Sequence, residues 1–123
     1  MKPRIDSVRF GSIIVDGTRF EHDIVITLGG VQERKKRLSK QIYGTSHILS
    51  LAEIQKTLED TWDSPTETLV VGTGYLNRVR LSSEAAEYLE HRRCQVKLCP
   101  TKEAARLWNE LEGRVLGLFH ITC

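Results

Sequence analysis

The chain has 123 residues, 40% of them apolar and 28% charged, with a formal net charge of +2. That length fits a single domain over residues 1–123 that buries roughly two-thirds of its unfolded surface, and the composition excludes a disordered chain. The small net charge argues against a protein built to coat nucleic acid, and no apolar run approaches the ~20 residues that cross a bilayer.

The opening Met1-Lys2-Pro3-Arg4-Ile5-Asp6 has a positive tip with no apolar stretch behind it. Neither a secretory signal nor an organellar presequence is expected there, and a cytoplasmic protein is the simplest reading. Cys94, Cys99 and Cys123 are odd in number and form no Cys-x-x-Cys, which excludes a disulfide framework. Cys99 sits in an apolar run and reads as a buried small hydrophobe.

The first third has the pattern of short antiparallel strands. Val8-Arg9-Phe10 and Ser12-Ile13-Ile14-Val15 lead into Asp16-Gly17, a two-residue hairpin signal because both turn positions favour positive φ. Thr18-Arg19-Phe20 pairs back. Asp23 to Leu28 is a β-branched strand closed by a turn at Gly29-Gly30, and a charged strand from Val31 to about Lys36 suits an exposed edge.

Ser50-Leu51-Ala52-Glu53 has the form of a capping box opening a helix, with Leu51, Ile54 and Leu58 on one face, and Asp63-Ser64-Pro65 ends it. From Thr68 the pattern changes. Leu69-Val70-Val71 is an all-apolar run, as expected for a strand buried on both faces. Ser82 or Ser83 caps a helix carrying Ala85, Ala86 and Leu89, and Val96 to Cys99 is the next strand. Thr101 caps a helix with Ala104, Leu107, Trp108 and Leu111 on one side, and Gly113 follows as its C′ residue. Val115 to Ile121 is the last strand. Alternating strands and helices make this region a β-α-β-α-β unit with right-handed parallel crossovers, and the N-terminal hairpins either make the sheet mixed or add a second, small one.

Three constellations carry candidate chemistry. Gly72-Thr73-Gly74 follows a buried strand, where glycines let a ligand approach the backbone and amides can cradle an anion; a tight turn explains them equally well. No third glycine completes a dinucleotide fingerprint, and no P-loop is present. Tyr43-Gly44-Thr45-Ser46-His47 combines a phenol, two hydroxyls and an imidazole, enough to orient a polar ligand or supply a base near neutral pH. Its bland alternative is a loop whose hydroxyls satisfy their own amides and whose histidine packs. Arg34-Lys35-Lys36-Arg37, with Lys40 nearby, suits phosphate, RNA or an acidic partner, but with so small a net charge and no interleaved aromatics it fits a solvated strand face better. His120 and Cys123 fall short of a zinc site's ligand inventory.

Together, Tyr43-Gly44-Thr45-Ser46-His47, Val70-Val71-Gly72-Thr73-Gly74 and the ending Phe119-His120-Ile121-Thr122-Cys123 resemble a family of small domains of unknown function. That family includes the adipogenesis-associated domain protein and a mitochondrial complex I assembly factor. The resemblance runs from Arg9-Phe10-Gly11 to the last residue. It implies an α/β three-layer fold, with a mixed central sheet, helices on both faces and an additional β element. It brings no catalytic set with it. One branch of the family is linked to respiratory-complex assembly through protein contacts; without a presequence, this chain resembles a stand-alone prokaryotic member instead.

The expectation is therefore a non-enzymatic protein-interaction or assembly module. The alternative is a protein, or an enzyme, with a pocket for a small polar or anionic ligand between the Tyr43–His47 and Gly72–Gly74 loops. The candidate ligand-binding residues are Lys40, Tyr43, Gly44, Thr45, Ser46, His47, Gly72, Thr73 and Gly74. No catalytic residue, metal or cofactor is assigned, and neither nucleic acid nor membrane is an expected partner.

Overall fold

A computed structural model describes residues 2–59 and 66–123. The expected helix stop at Asp63-Ser64-Pro65 lies outside these residues. Strands β1 (Ile5–Arg9), β2 (Ser12–Val15) and β3 (Thr18–Phe20) form a small antiparallel sheet of their own. Asp16 and Gly17, at φ 46° and 79°, make the two-residue turn that their sequence predicts.

The chain then enters the central sheet with β4 (Ile24–Thr27) and β5 (Gly30–Glu33). Helices α1 (Arg37–Tyr43) and α2 (Leu51–Leu58) follow, with a two-residue strand β6 (Ile48–Leu49) between them. Next come β7 (Thr68–Thr73), the short β8 (Arg80–Leu81), α3 (Ser83–His91), β9 (Gln95–Cys99), α4 (Thr101–Glu110) and β10 (Val115–His120). The five-stranded sheet has the order β5-β4-β10-β7-β9, with β10, β7 and β9 parallel and β4 and β5 antiparallel to their neighbours. The N-terminal hairpins thus do both things expected of them: one makes the main sheet mixed and the other forms a second sheet. Among the described residues no helix is long and apolar enough to cross a membrane.

Side chains alternate across the sheet and divide the core in two. On one face Ile24, Ile26, Val70, Val115 and Phe119 pack with Ala104 and Trp108 of α4 and with Ile5, Ile13 and Val15 of the small sheet. On the other, Val25, Leu69, Val71, Leu116 and Leu118 pack under Ile54 and Leu58 of α2 and Ala85 and Leu89 of α3. Trp108 and Phe119 meet edge to face at 6.0 Å. The Phe119 ring lies over Gly117, where a methyl group would strike it and come within 3.1 Å of the Trp108 indole.

Several local expectations change. The charged strand ends at Glu33 rather than Lys36, because the chain turns into α1, a helix with no side-chain N-cap to announce it. The turn after β4 is Leu28-Gly29, and Gly30 already pairs with Thr27. Ala86 is exposed on α3, and Cys99 is only half-buried because β9 is an edge strand. The cap residue of α4 is Pro100; Thr101 stands inside the helix, its hydroxyl diverted to the tertiary bonds described below. Leu111 closes that helix in extended conformation, which places Gly113 one residue beyond C′.

Gly117→Ala should lower stability by about 1–3 kcal/mol through overpacking against Phe119. A fall in the urea midpoint without a change in slope is the expected result.

Candidate functional site

The polar centre of the molecule is Arg34, whose side chain is entirely buried. Its Nε donates to Glu53 Oε2 at 2.6 Å and its Nη1 to Asp23 Oδ2 at 2.9 Å. Nη2 donates to the Ser46 carbonyl at 2.5 Å and to Glu53 Oε1 at 3.2 Å. A planar guanidinium suits this forked task, which a point-charge lysine would not perform. Arg34 was expected on a solvated strand face; it lies inside because it has two carboxylates and a carbonyl to satisfy it. Lys35, Lys36, Arg37 and Lys40 are exposed, as that reading expects, though Arg37 and Lys40 stand on a helix.

Glu53 is likewise redirected. Ser50 caps α2 by accepting from the Glu53 amide at 3.1 Å. The Glu53 carboxylate, however, takes Arg34 and the Ser39 hydroxyl instead of reaching back to the Ser50 amide, which donates to Ser39 Oγ at 2.9 Å. The capping box is therefore half a box, its acidic arm drawn into the buried ion pair.

Asp23 connects this cluster to the last strand. Its Oδ2 lies 2.7 Å from His120 Nδ1, and its Oδ1 accepts from the Ile121 amide at 2.9 Å. Burial alone would raise the Asp23 pKa. The hydrogen bond and charge of His120, the Ile121 amide and the Arg34 guanidinium outweigh it and hold the carboxyl at about 2. The His120 ring meets the His47 ring edge to face at 5.3 Å. Burial, followed by the charges of His120, Arg78 and Arg34, lowers the His47 pKa from its ordinary value. His47 is thus a neutral imidazole at pH 7.

His47 opens onto a cleft of about 420 Å³ lined by Thr45, His47, Ile48, Asn77, Arg78 and Arg80. Two segments form its walls, joined where the Arg80 amide donates to the His47 carbonyl at 2.8 Å and β6 pairs with β8. The Thr45 hydroxyl accepts from the His47 amide at 3.1 Å, which folds the loop. On the other wall, Thr73 Oγ1 donates to Asn77 Oδ1 at 2.5 Å, and the Thr73 carbonyl accepts from the Arg78 and Val79 amides.

Of the residues singled out in the sequence, Thr45 and His47 line this cleft. Thr73 supports it from behind, and Ser46 gives its carbonyl to Arg34. Tyr43 ends α1 and Gly44 caps it at φ 72°, while Lys40 is exposed on the same helix.

Gly72 and Gly74 face elsewhere. A methyl on Gly72 would lie 2.9 Å from Thr101 Oγ1, and one on Gly74 would lie 2.5 Å from the Cys123 backbone. The Gly74 amide donates to Thr101 Oγ1 at 2.8 Å, and that hydroxyl donates to the His120 carbonyl at 2.5 Å. Asp23, Arg34, Glu53, Asn77, Arg78, Arg80 and Thr101 were absent from the expected site. Only an acidic residue at the head of an apolar strand, Asp23, stood out locally as a signal.

Arg34→Ala leaves two carboxylates buried without a cation and should cost about 3–5 kcal/mol, read as a large drop in thermal midpoint. The depressed Asp23 pKa contributes on the order of 2 kcal/mol of stability. That contribution is fully present above the unfolded value near 3.8 and is lost as pH falls through about 2. An Asp23→Asn variant should show a flatter stability profile across this window, measured by urea unfolding at each pH.

Residues 5–120 match the family described as proteins of unknown function, DUF498/DUF598. Among similar solved structures, a conserved hypothetical protein from Pyrococcus horikoshii is 41% identical, with 98% of this chain and 99% of that one covered and a TM-score of 0.86. The protein MT938 is 29% identical over 98% and 99% of the two chains, with a TM-score of 0.77. A Mth938-like domain from Bordetella pertussis shares the fold at 20% identity, covering 97% of this chain and 85% of that one, with a TM-score of 0.69. With its mixed sheet between two helical layers and a match over nearly its whole length, the chain belongs to the DUF498/DUF598 family.

Proposed function

We propose that the domain binds a small oxyanion, of the phosphate or carboxylate class, in the cleft between His47 and Arg78–Arg80. The observation that carries this reading is the convergence of two arginines, a threonine, an asparagine and a neutral imidazole on one concave surface. Arg78 and Arg80 are exposed and carry mobile charge suited to capturing an anion. His47 is backed by a buried, hydrogen-bonded array that fixes the ring behind it, so its position is set before a ligand arrives. The cleft also has the location expected of ligand sites in α/β sheets, outside the carboxyl ends of the parallel strands β7 and β10.

A protein-interaction role has its own support at a different place. Phe10 is 63% exposed and Leu76 59%, and the Phe10 and Tyr75 rings meet at 5.5 Å, with Lys102 over the Tyr75 ring. An apolar tip flanked by Arg9 and Lys102 fits a partner segment with apolar anchors and acidic flanks.

Titration with inorganic phosphate at fixed pH, followed by amide resonances, should move the signals of His47, Asn77, Arg78 and Arg80. Replacing both arginines by alanine should weaken binding at least about tenfold, as expected for charge-assisted contacts. An anion stabilises protonated His47 and so raises its pKa; binding takes up a proton and strengthens as pH falls. Sulfate, dianionic throughout, should accordingly bind more tightly at pH 5.5 than at pH 8, and His47→Ala should remove that dependence. Unmoved cleft resonances at saturating phosphate would sink the reading.

A further inference from the structure

Beyond the cleft, three side chains lie in hydrogen-bond series at the end of β10. Asp23 Oδ2 is 2.7 Å from His120 Nδ1, and His120 Nε2 is 3.3 Å from Thr122 Oγ1. Asp23 and His120 are buried, whereas Thr122 is half-buried and retains access to solvent. An extended chain places residues two apart on the same side, which is how the His120 ring comes to serve the Thr122 hydroxyl. An ionised Asp23 only accepts, so Nδ1 of His120 carries the proton directed at it, and Nε2 is the ring nitrogen that faces Thr122. Asp23 cannot swing away: Arg34 holds one oxygen and the Ile121 amide the other. The His120 carbonyl is anchored in turn by Thr101. An acid, an imidazole and a hydroxyl in this order, with the acid and base immobilised and the hydroxyl on a half-buried residue, form the arrangement that activates an oxygen nucleophile.

We propose that Thr122 is an acceptor hydroxyl for activated acyl or phosphonyl electrophiles, with His120 as its general base and Asp23 as the positioning residue. In the step, Thr122 Oγ forms a bond to the electrophilic carbon or phosphorus as Nε2 of His120 takes the hydroxyl proton. The bond to the leaving group then breaks; an alkoxide departs with that proton, whereas fluoride departs from a fluorophosphonate as the anion. The neighbouring Tyr75 and Leu76 amides already donate to the Thr122 and Cys123 carbonyls and are therefore not turned to a developing oxyanion. Capture of the electrophile is therefore expected to be a single, slow turnover.

The test is treatment of the full chain with a fluorophosphonate probe, read by intact mass and peptide mapping. One adduct on Thr122 is expected in the native chain, retained in Thr122→Ser and lost in Thr122→Val. Asp23→Asn should slow labelling by about 100-fold or more while the folded chain persists by circular dichroism. Should Asp23→Asn fail to fold, His120→Gln gives the same comparison, and the serine and valine pair decides the site independently of both. Absence of any adduct, or an adduct that survives in Thr122→Val, overturns the proposal. Phosphate titration of the same valine variant separates this result from the oxyanion reading, because Thr122 lies outside that cleft.

Discussion

A single buried guanidinium organises the polar half of this molecule. Arg34 follows the edge strand β5, yet it reaches Asp23 at the head of β4, Glu53 in α2 and the carbonyl of Ser46 in the loop between α1 and β6. Removing a charge from water costs several kcal/mol, and only a nearly complete set of partners makes the site tolerable. That requirement acts as a geometric constraint. The sheet, the second helix and the loop preceding His47 must adopt one relative placement, or a donor or carboxylate is stranded. Such a cluster adds little net stability compared with an apolar core, but it discriminates against competing arrangements. In this fold its value is that it sets the height and direction of the His47 loop.

The same carboxylate that receives Arg34 also receives His120, and strand topology explains why. β10 runs parallel to β7 and antiparallel to β4, with Phe119 opposite Ile24 and His120 opposite Thr73. The carboxyl ends of the two parallel strands therefore coincide with the entrance of β4, where Asp23 stands. Alternation puts His120 and Asp23 on the face shared with Val25 and Leu118, below the loop carrying His47. One end of one sheet face thus collects two carboxylates, two imidazoles and a guanidinium beside the apolar cores.

What the sequence disclosed, and what it withheld, follows the range of the forces involved. Asp16-Gly17, Ser50 and Ser82 act on atoms a few residues away, and the turn and both caps form where their local chemistry places them. The apolar runs of β7 and β10 and the helical spacing in α4 are similarly self-evident, since burial imposes a period on the residues themselves. Arg34 carried no such mark. In a run with Lys35, Lys36 and Arg37, nothing local tells a buried arginine from a solvated one, and its ligands lie 11 to 19 residues away. His120 and Asp23 are separated by 97 residues. Glu53 and Thr101 misled for a related reason: each had a plausible local role as a cap partner, and a stronger long-range partner took the side chain away.

Gly72-Thr73-Gly74 has a packing role at the exit of β7. The sequence marked the exit of β7 as a candidate ligand wall; the cleft is lined instead by Asn77, Arg78 and Arg80, which follow that exit in the chain. The space freed by Gly72 is filled by Thr101, and that freed by Gly74 by the Cys123 backbone and the His120 ring. The Gly74 amide is already satisfied by Thr101, and the Tyr75 amide by the Thr122 carbonyl. Small residues at this exit admit α4 and the chain end close to the strand, and that packing steadies the His120 backbone. The wall of the cleft is displaced along the chain to Asn77–Arg80, held there by the Thr73 hydroxyl and carbonyl. The glycines shape the cleft from behind by fixing the two segments that line it, rather than by presenting their own amides to it.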